Sequence, residues 1–200
     1  MNRLQKEIRD RVILFRQARG EDEMKKAWGD LQRILQVGKS LWKKDLQFGK
    51  RLNLPKEIEF KGGGEATPII TLGSQGLCVT RVRKHNSVSS DVQWKLREKF
   101  LRNMPPNPFF AKLYGSGVDH EGNIFHRMQF IPGNRCASRA DSTRNSKKSN
   151  LLITQVVGKQ YCMLDQTPKN TIRDLRSGAL VYVDFLIYNK LRKPGQRSCR

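Results

Sequence analysis

The spacing of apolar residues changes at Gly62-Gly63-Gly64, and this break constrains the fold more than any other feature of the chain. Before it, Leu4, Ile8, Val12 and Phe15 recur at helical spacing and place one apolar stripe on a helix over residues 2–19. Gly20 ends that segment. Glu21, Asp22 and Glu23 then suit the first turn of a second helix, where carboxylates complement the backbone dipole. Met24, Trp28, Leu31 and Leu35 continue the pattern, which resumes after Gly38 with Leu41, Trp42 and Leu46. Trp28 and Trp42 are expected to pack helix against helix. After the glycines, residues 68–72 and 77–83 have strand composition around a Gly-Ser-Gln-Gly turn. Three consecutive glycines carry high backbone entropy and suit a hinge. The reading is therefore a basic helical arm over residues 1–60 and a mainly β domain over residues 61–200.

Within that second domain, Ser89, Ser90 and Asp91 can cap a helix through residues 91–103, with Val92, Leu96 and Phe100 on its apolar face. Pro105, Pro106 and Pro108 break the chain, and residues 109–114 and 124–131 read as strands around a polar hairpin loop. Residues 134–150 hold no large apolar side chain and are expected to form a mobile basic loop. Residues 151–157 and 160–164 read as a hairpin turning at Gly158-Lys159. Residues 179–189 form the most apolar run, expected to be one buried strand. The fold class expected is α+β: an amphipathic helical N-terminal arm followed by a mainly antiparallel β domain, jelly-roll or barrel-like, with one inserted helix.

Charge supplies the functional expectation. The 200 residues carry 39 Lys and Arg against 18 Asp and Glu, a formal net charge of +21. Such a surplus repels itself, and a polyanion is its commonest compensator: nucleic acid first, an anionic membrane surface second. The candidate phosphate contacts are Arg81, Arg83 and Lys84 at a strand end, and Lys95, Lys99 and Arg102 on the inserted helix. To these are added Arg135, Arg139, Arg144, Lys147 and Lys148 in the loop, and Arg192 and Lys193 in the tail. Cys78, Cys136, Cys162 and Cys199 show no CxxC spacing, which suits a reduced intracellular compartment with Cys78 and Cys162 buried in strands. No apolar run reaches the length of a membrane span.

Chemistry is less legible. Asp119, His120, Glu121 and His126 invite a hydrolase reading, but no nucleophile elbow accompanies them. His120, His126 and Cys136 match no common zinc spacing, so neither a metal nor a cofactor is expected. A helical basic arm, a glycine hinge and a β body together make an organisation similar to small viral coat proteins, whose arms lie against the genome. That resemblance implies a non-enzymatic, self-associating protein that packages or coats RNA or single-stranded DNA with little sequence preference, with a virion as a second location. Two alternatives stand beside it: an RNA-binding subunit of a ribosome-like particle, and a movement-type factor or small enzyme with an unrecognised site.

Overall fold

The computed structural model describes residues 3–38, 50–52, 54, 66–73, 75–83, 91–135, 138–164 and 166–190. The chain divides into two compact units, residues 1–88 with 114–130, and residues 89–113 with 131–200. The N-terminal helices and the first sheet belong to one unit.

In the first unit, α1 (Arg3–Gln17) and α2 (Glu21–Gly38) form where the apolar stripe placed them. Ile8, Val12, Phe15, Met24, Trp28 and Leu31 are buried. Trp28 is a packing residue as expected: its ring lies 5.5 Å from Phe15 and 5.8 Å from Phe130. Trp42 falls outside the described residues. Strands β1 (Lys50–Arg51), β2 (Ala66–Gly73), β3 (Gly76–Arg83), β4 (Leu113–Val118) and β5 (Ile124–Gln129) make one sheet in the order β1-β2-β3-β5-β4. Strands β2 and β3 are antiparallel, Ile70 opposite Val79. Their turn closes through Gly76 at φ +88°, a conformation that side chains disfavour. Thr71 and Thr80 share a buried 2.8 Å hydrogen bond, which satisfies both hydroxyls inside the sheet.

The second unit is built on α3 (Asp91–Asn103), which spans the residues expected of it and buries Trp94, Arg97, Phe100 and Leu101. After it come β6 (Gly133–Arg135), α4 (Arg139–Thr143), α5 (Ser146–Val157), β7 (Tyr161–Leu164) and a single 3-10 turn at Pro168–Asn170. β8 (Thr171–Asp174), β9 (Leu180–Tyr182) and β10 (Leu186–Asn189) complete it. Strands β6-β8-β9 form one small sheet, and β10 pairs antiparallel with β7 in another. The centre is aromatic, with the Phe110 ring 4.8 Å from Phe100 and 4.9 Å from Phe185. Gly133 sits at φ +155° against β8, where an added Cβ would run into the Arg173 carbonyl oxygen. Only glycine lets the two backbones approach so closely.

A mixed α+β fold with antiparallel sheets is thus what the chain adopts, and no closed barrel is found among the described strands. Several local expectations need correction. Residues 134–150 are not a mobile loop, since they contain β6, α4 and the start of α5. Ser138 caps α4 by accepting from the Asp141 N–H, and the Ser142 hydroxyl donates to the Arg139 and Gln166 carbonyls. Residues 151–157 continue α5 rather than a hairpin strand, because Ser149, Ile153 and Val157 line one buried face four residues apart. The apolar run over 179–189 is two strands, interrupted at 183–185. Cys78 and Cys162 are buried in strands as expected, Cys78 as a free thiol and Cys162 disulfide-bonded. Among the described residues no helix is long and apolar enough to cross a membrane.

Candidate functional site

The interruption at 183–185 is the most informative departure from the expected pattern. The backbone N–H of Val183 donates to the Asn170 carbonyl at 2.9 Å, and that of Asp184 to the same oxygen at 3.4 Å. A strand that spends its amides on a turn leaves the ladder there, which separates β9 from β10. The consequence is positional. Asn170, at the end of the 3-10 turn, and Asp184, between the two strands, are held side by side.

Packing holds both ends of this arrangement. Asn170 is buried at 5% exposure, and its own N–H donates to the Thr167 carbonyl at 2.9 Å. Phe185 is buried against Phe100 and Phe110, so the residue after Asp184 is anchored in the core. Tyr182 is fixed by its hydroxyl, which donates to the Ser142 carbonyl at 2.8 Å, and by its backbone N–H on the Phe109 carbonyl at 2.7 Å. Between these anchors the Asp184 side chain remains 32% exposed.

The third member comes from α3. Arg97 is 1% exposed, yet its Nη1 lies 3.3 Å from Asp184 Oδ1 and 3.2 Å from the Phe185 carbonyl oxygen. Its guanidinium stands 4.3 Å above the Trp94 ring. A buried guanidinium needs an anion, and the carboxylate, the carbonyl and the aromatic face together answer that need.

The arrangement can bind a cation or a phosphate-bearing ligand. A partly exposed carboxylate is a hard oxygen donor of the type that magnesium accepts, completing its shell with water and phosphate oxygens. Among the described residues no group of three His, Cys, Asp or Glu side chains that could hold a metal ion occurs. The donor set fits a cation brought in with, and shared by, a phosphate ligand.

Of the residues expected to contact phosphate, Arg81 is buried in β3 opposite His126 of β5. Arg83 is half-buried at the end of the same strand. Lys84, Arg192 and Lys193 lie outside the described residues. Lys95, Lys99 and Arg102 are exposed on α3, with Arg102 bonded to Glu98 at 2.9 Å. Arg135 is exposed in β6, Arg139 begins α4, Arg144 follows it, and Lys147 and Lys148 are exposed in the first turn of α5. His120 is exposed and His126 fully buried.

Asp119 organises its own turn. It accepts from the backbone of Asn123 at 2.8 Å and of Glu121 at 3.0 Å, and from the Asn123 side chain at 3.2 Å. Those bonds, the Asn123 backbone first, hold its carboxyl below the ordinary value of 3.8. The Asp119 carboxylate is therefore explained by loop geometry. Burial pushes the Cys78 thiol up to about 11, with Arg127 opposing it weakly, so this thiol is a packed side chain at neutral pH.

Asn170, Asp184 and Arg97 are the residues that charge-based reasoning overlooked. Signals for two of them were present. Asp184 is an acid inside the most apolar run of the chain, and Asp165 and Asn170 are five positions apart just before it. Arg97 carried no such signal, since α3 offers three other basic side chains of the same appearance.

Comparison with known proteins corrects the functional expectation. No family model matches the chain, and no curated protein matches it. Among solved structures, it is similar to a chain of the CAK complex from Chaetomium thermophilum, solved bound to ATP-gamma-S, at 15% identity and TM-score 0.49. That match covers 74% of this chain and 49% of the other. It is also similar to the kinase domain of PknI from Mycobacterium tuberculosis, at 12% identity and TM-score 0.45, covering 66% of this chain and 60% of that one. This chain thus spans about half to three-fifths of the length of these two chains. Both are protein kinase structures. These neighbours are kinase structures and not capsid or nucleic-acid-binding proteins, against the expectation of a genome-packaging, nucleic-acid-binding capsid protein without enzymatic activity. Neither the nucleic-acid partner nor the self-association inferred from charge finds support.

Proposed function

We propose that this chain is a kinase-like protein whose second unit holds a divalent cation and the phosphates of a nucleotide at Asn170 and Asp184. The observation that carries the reading is the apposition of these two residues through the Asn170 carbonyl and the amides of Val183 and Asp184. Two sequence features support it. Asp165 and Asn170 stand at the D-x-x-x-x-N spacing of a kinase catalytic loop, where the Asp accepts the substrate hydroxyl proton and the Asn serves a metal. Asp184-Phe185 matches the first two residues of the D-F-G segment, whose Asp serves the metal and whose Phe packs inward. The first unit carries a five-stranded sheet in the order β1-β2-β3-β5-β4, with α3 following β3 in the chain.

In this reading Asp184 and Asn170 would hold the cation, which, when bound, offsets charge on the phosphates. The buried Asn170 presents its donor from a fixed turn, and Phe185 sets the depth of Asp184. Asp165, outside the described residues, is assigned the proton-accepting role from its spacing alone. The sequence also departs from the kinase pattern. Met163 and Leu164 stand where His and Arg precede the catalytic Asp, and Leu186 stands in place of the D-F-G glycine. Leu186 is buried in β10 and paired opposite Leu164, so this position continues a strand instead of turning. The departures favour nucleotide binding over rapid turnover.

The test is nucleotide binding with magnesium, measured by calorimetry on the full chain, for the wild type and for Asp184→Asn and Asn170→Ala. Saturable binding of ATP or GTP that either substitution weakens about tenfold or more is the expected result. Absence of binding up to about 1 mM, the upper end of common substrate constants, would sink the reading.

A further inference from the structure

We propose that Arg97 is a tethered counter-ion of Asp184 that competes with an incoming divalent cation, so that cation binding at this site is coupled to release of the carboxylate by Arg97. The inference rests on the reading of Asn170 and Asp184 as cation ligands and adds a specific opposing residue to it. Arginine keeps its charge at any pH the protein meets. At 1% exposure, Arg97 cannot turn to water, and the Asp184 carboxylate lies 3.3 Å from it. A dication approaching the same carboxylate meets this fixed positive charge.

The surroundings allow an exchange rather than an exclusion. The guanidinium also contacts the Phe185 carbonyl at 3.2 Å and the Trp94 ring at 4.3 Å. Those two contacts can keep Arg97 in place after the carboxylate has turned to the cation, and the partly exposed Asp184 side chain has room to turn. Arg97 therefore raises the threshold for metal without blocking it. A nucleotide that carries its own magnesium, adding negative phosphate charge at the site, is favoured over the bare cation.

Manganese alone serves as the probe, with free Mn2+ read by paramagnetic resonance in titrations of the full chain. Arg97→Met removes the charge and keeps much of the side-chain volume. It should bind Mn2+ about tenfold or more tightly than the wild type, the scale on which one neighbouring charge acts. Asp184→Asn should abolish the binding in either background. Equal or weaker binding by Arg97→Met, with binding still dependent on Asp184, overturns the role of Arg97 and leaves the cation reading standing. Mn2+ binding indifferent to Asp184→Asn, or absent from both wild type and Arg97→Met, overturns the underlying reading and this inference with it. Should Arg97→Met fail to fold, the wild type decides through the Arg97 Nε–Hε nuclear resonance under magnesium titration. A shift that tracks saturation supports the exchange, and a resonance unmoved at saturation refutes it.

Discussion

The Arg97–Asp184 pair makes a quantitative prediction about stability that is independent of any ligand. At 3.3 Å the direct attraction between unit charges is about 5 kcal/mol at an effective dielectric near 20. Two effects reduce it. Asp184 is one-third exposed, so water screens its side of the pair, and Arg97 has given up its hydration to sit at 1% exposure. A coupling energy of about 2 kcal/mol is what remains, within the range of neighbouring residues in a double-mutant cycle. The single substitutions should differ in a definite direction. Asp184→Asn takes the neighbouring carboxylate charge from a buried guanidinium, and should cost about 3 kcal/mol. Arg97→Met leaves a carboxylate that can still reach water, and should cost about 1–2 kcal/mol in lost hydrogen bonds and ring contact. Urea unfolding of the four proteins of the cycle, with slopes compared for constancy, measures all these terms. A coupling below about 0.5 kcal/mol, or a larger loss for Arg97→Met than for Asp184→Asn, would refute the electrostatic account.

Four further outcomes follow from other parts of the molecule. Phe110→Ala should destabilise the second unit by about 3–5 kcal/mol and loosen Asp184 through Phe185, seen as a lowered urea midpoint together with weaker nucleotide binding. Gly133→Ala should lower the melting temperature more than Gly122→Ala, since an added Cβ at 133 meets the Arg173 carbonyl whereas at 122 it meets open space. Asp119, held below its ordinary value by the Asn123 and Glu121 amides, contributes stability that is present above the unfolded carboxyl's titration and lost as pH falls through the lower folded one. An Asp119 carboxyl resonance that titrates at or above 3.8 in the folded chain would contradict this. Cys78, pushed up to about 11, should resist iodoacetamide at pH 8 until the chain is unfolded.

The sequence by itself determined the elements whose stabilising contacts repeat locally. The stripe Ile8, Val12 and Phe15 declares α1, and α3 is legible from its Asp91 start and its buried Phe100. Strands β2 and β3 follow from their composition and intervening turn. Only the tertiary structure decided α5. Its first turn carries Lys147 and Lys148 where acids would signal a helix, and the small Ser149 hides the stripe that Ile153 and Val157 complete. The same holds for the candidate site. Asp184 interrupts an apolar run because its amide and that of Val183 go to Asn170, thirteen and fourteen positions earlier. Arg97 is singled out among the basic residues of α3 because it alone is buried against Trp94 and that carboxylate. Periodicity reports which face of an element is apolar. It carries no information about which distant backbone carbonyl or carboxylate an element will meet, and the candidate site consists of such meetings.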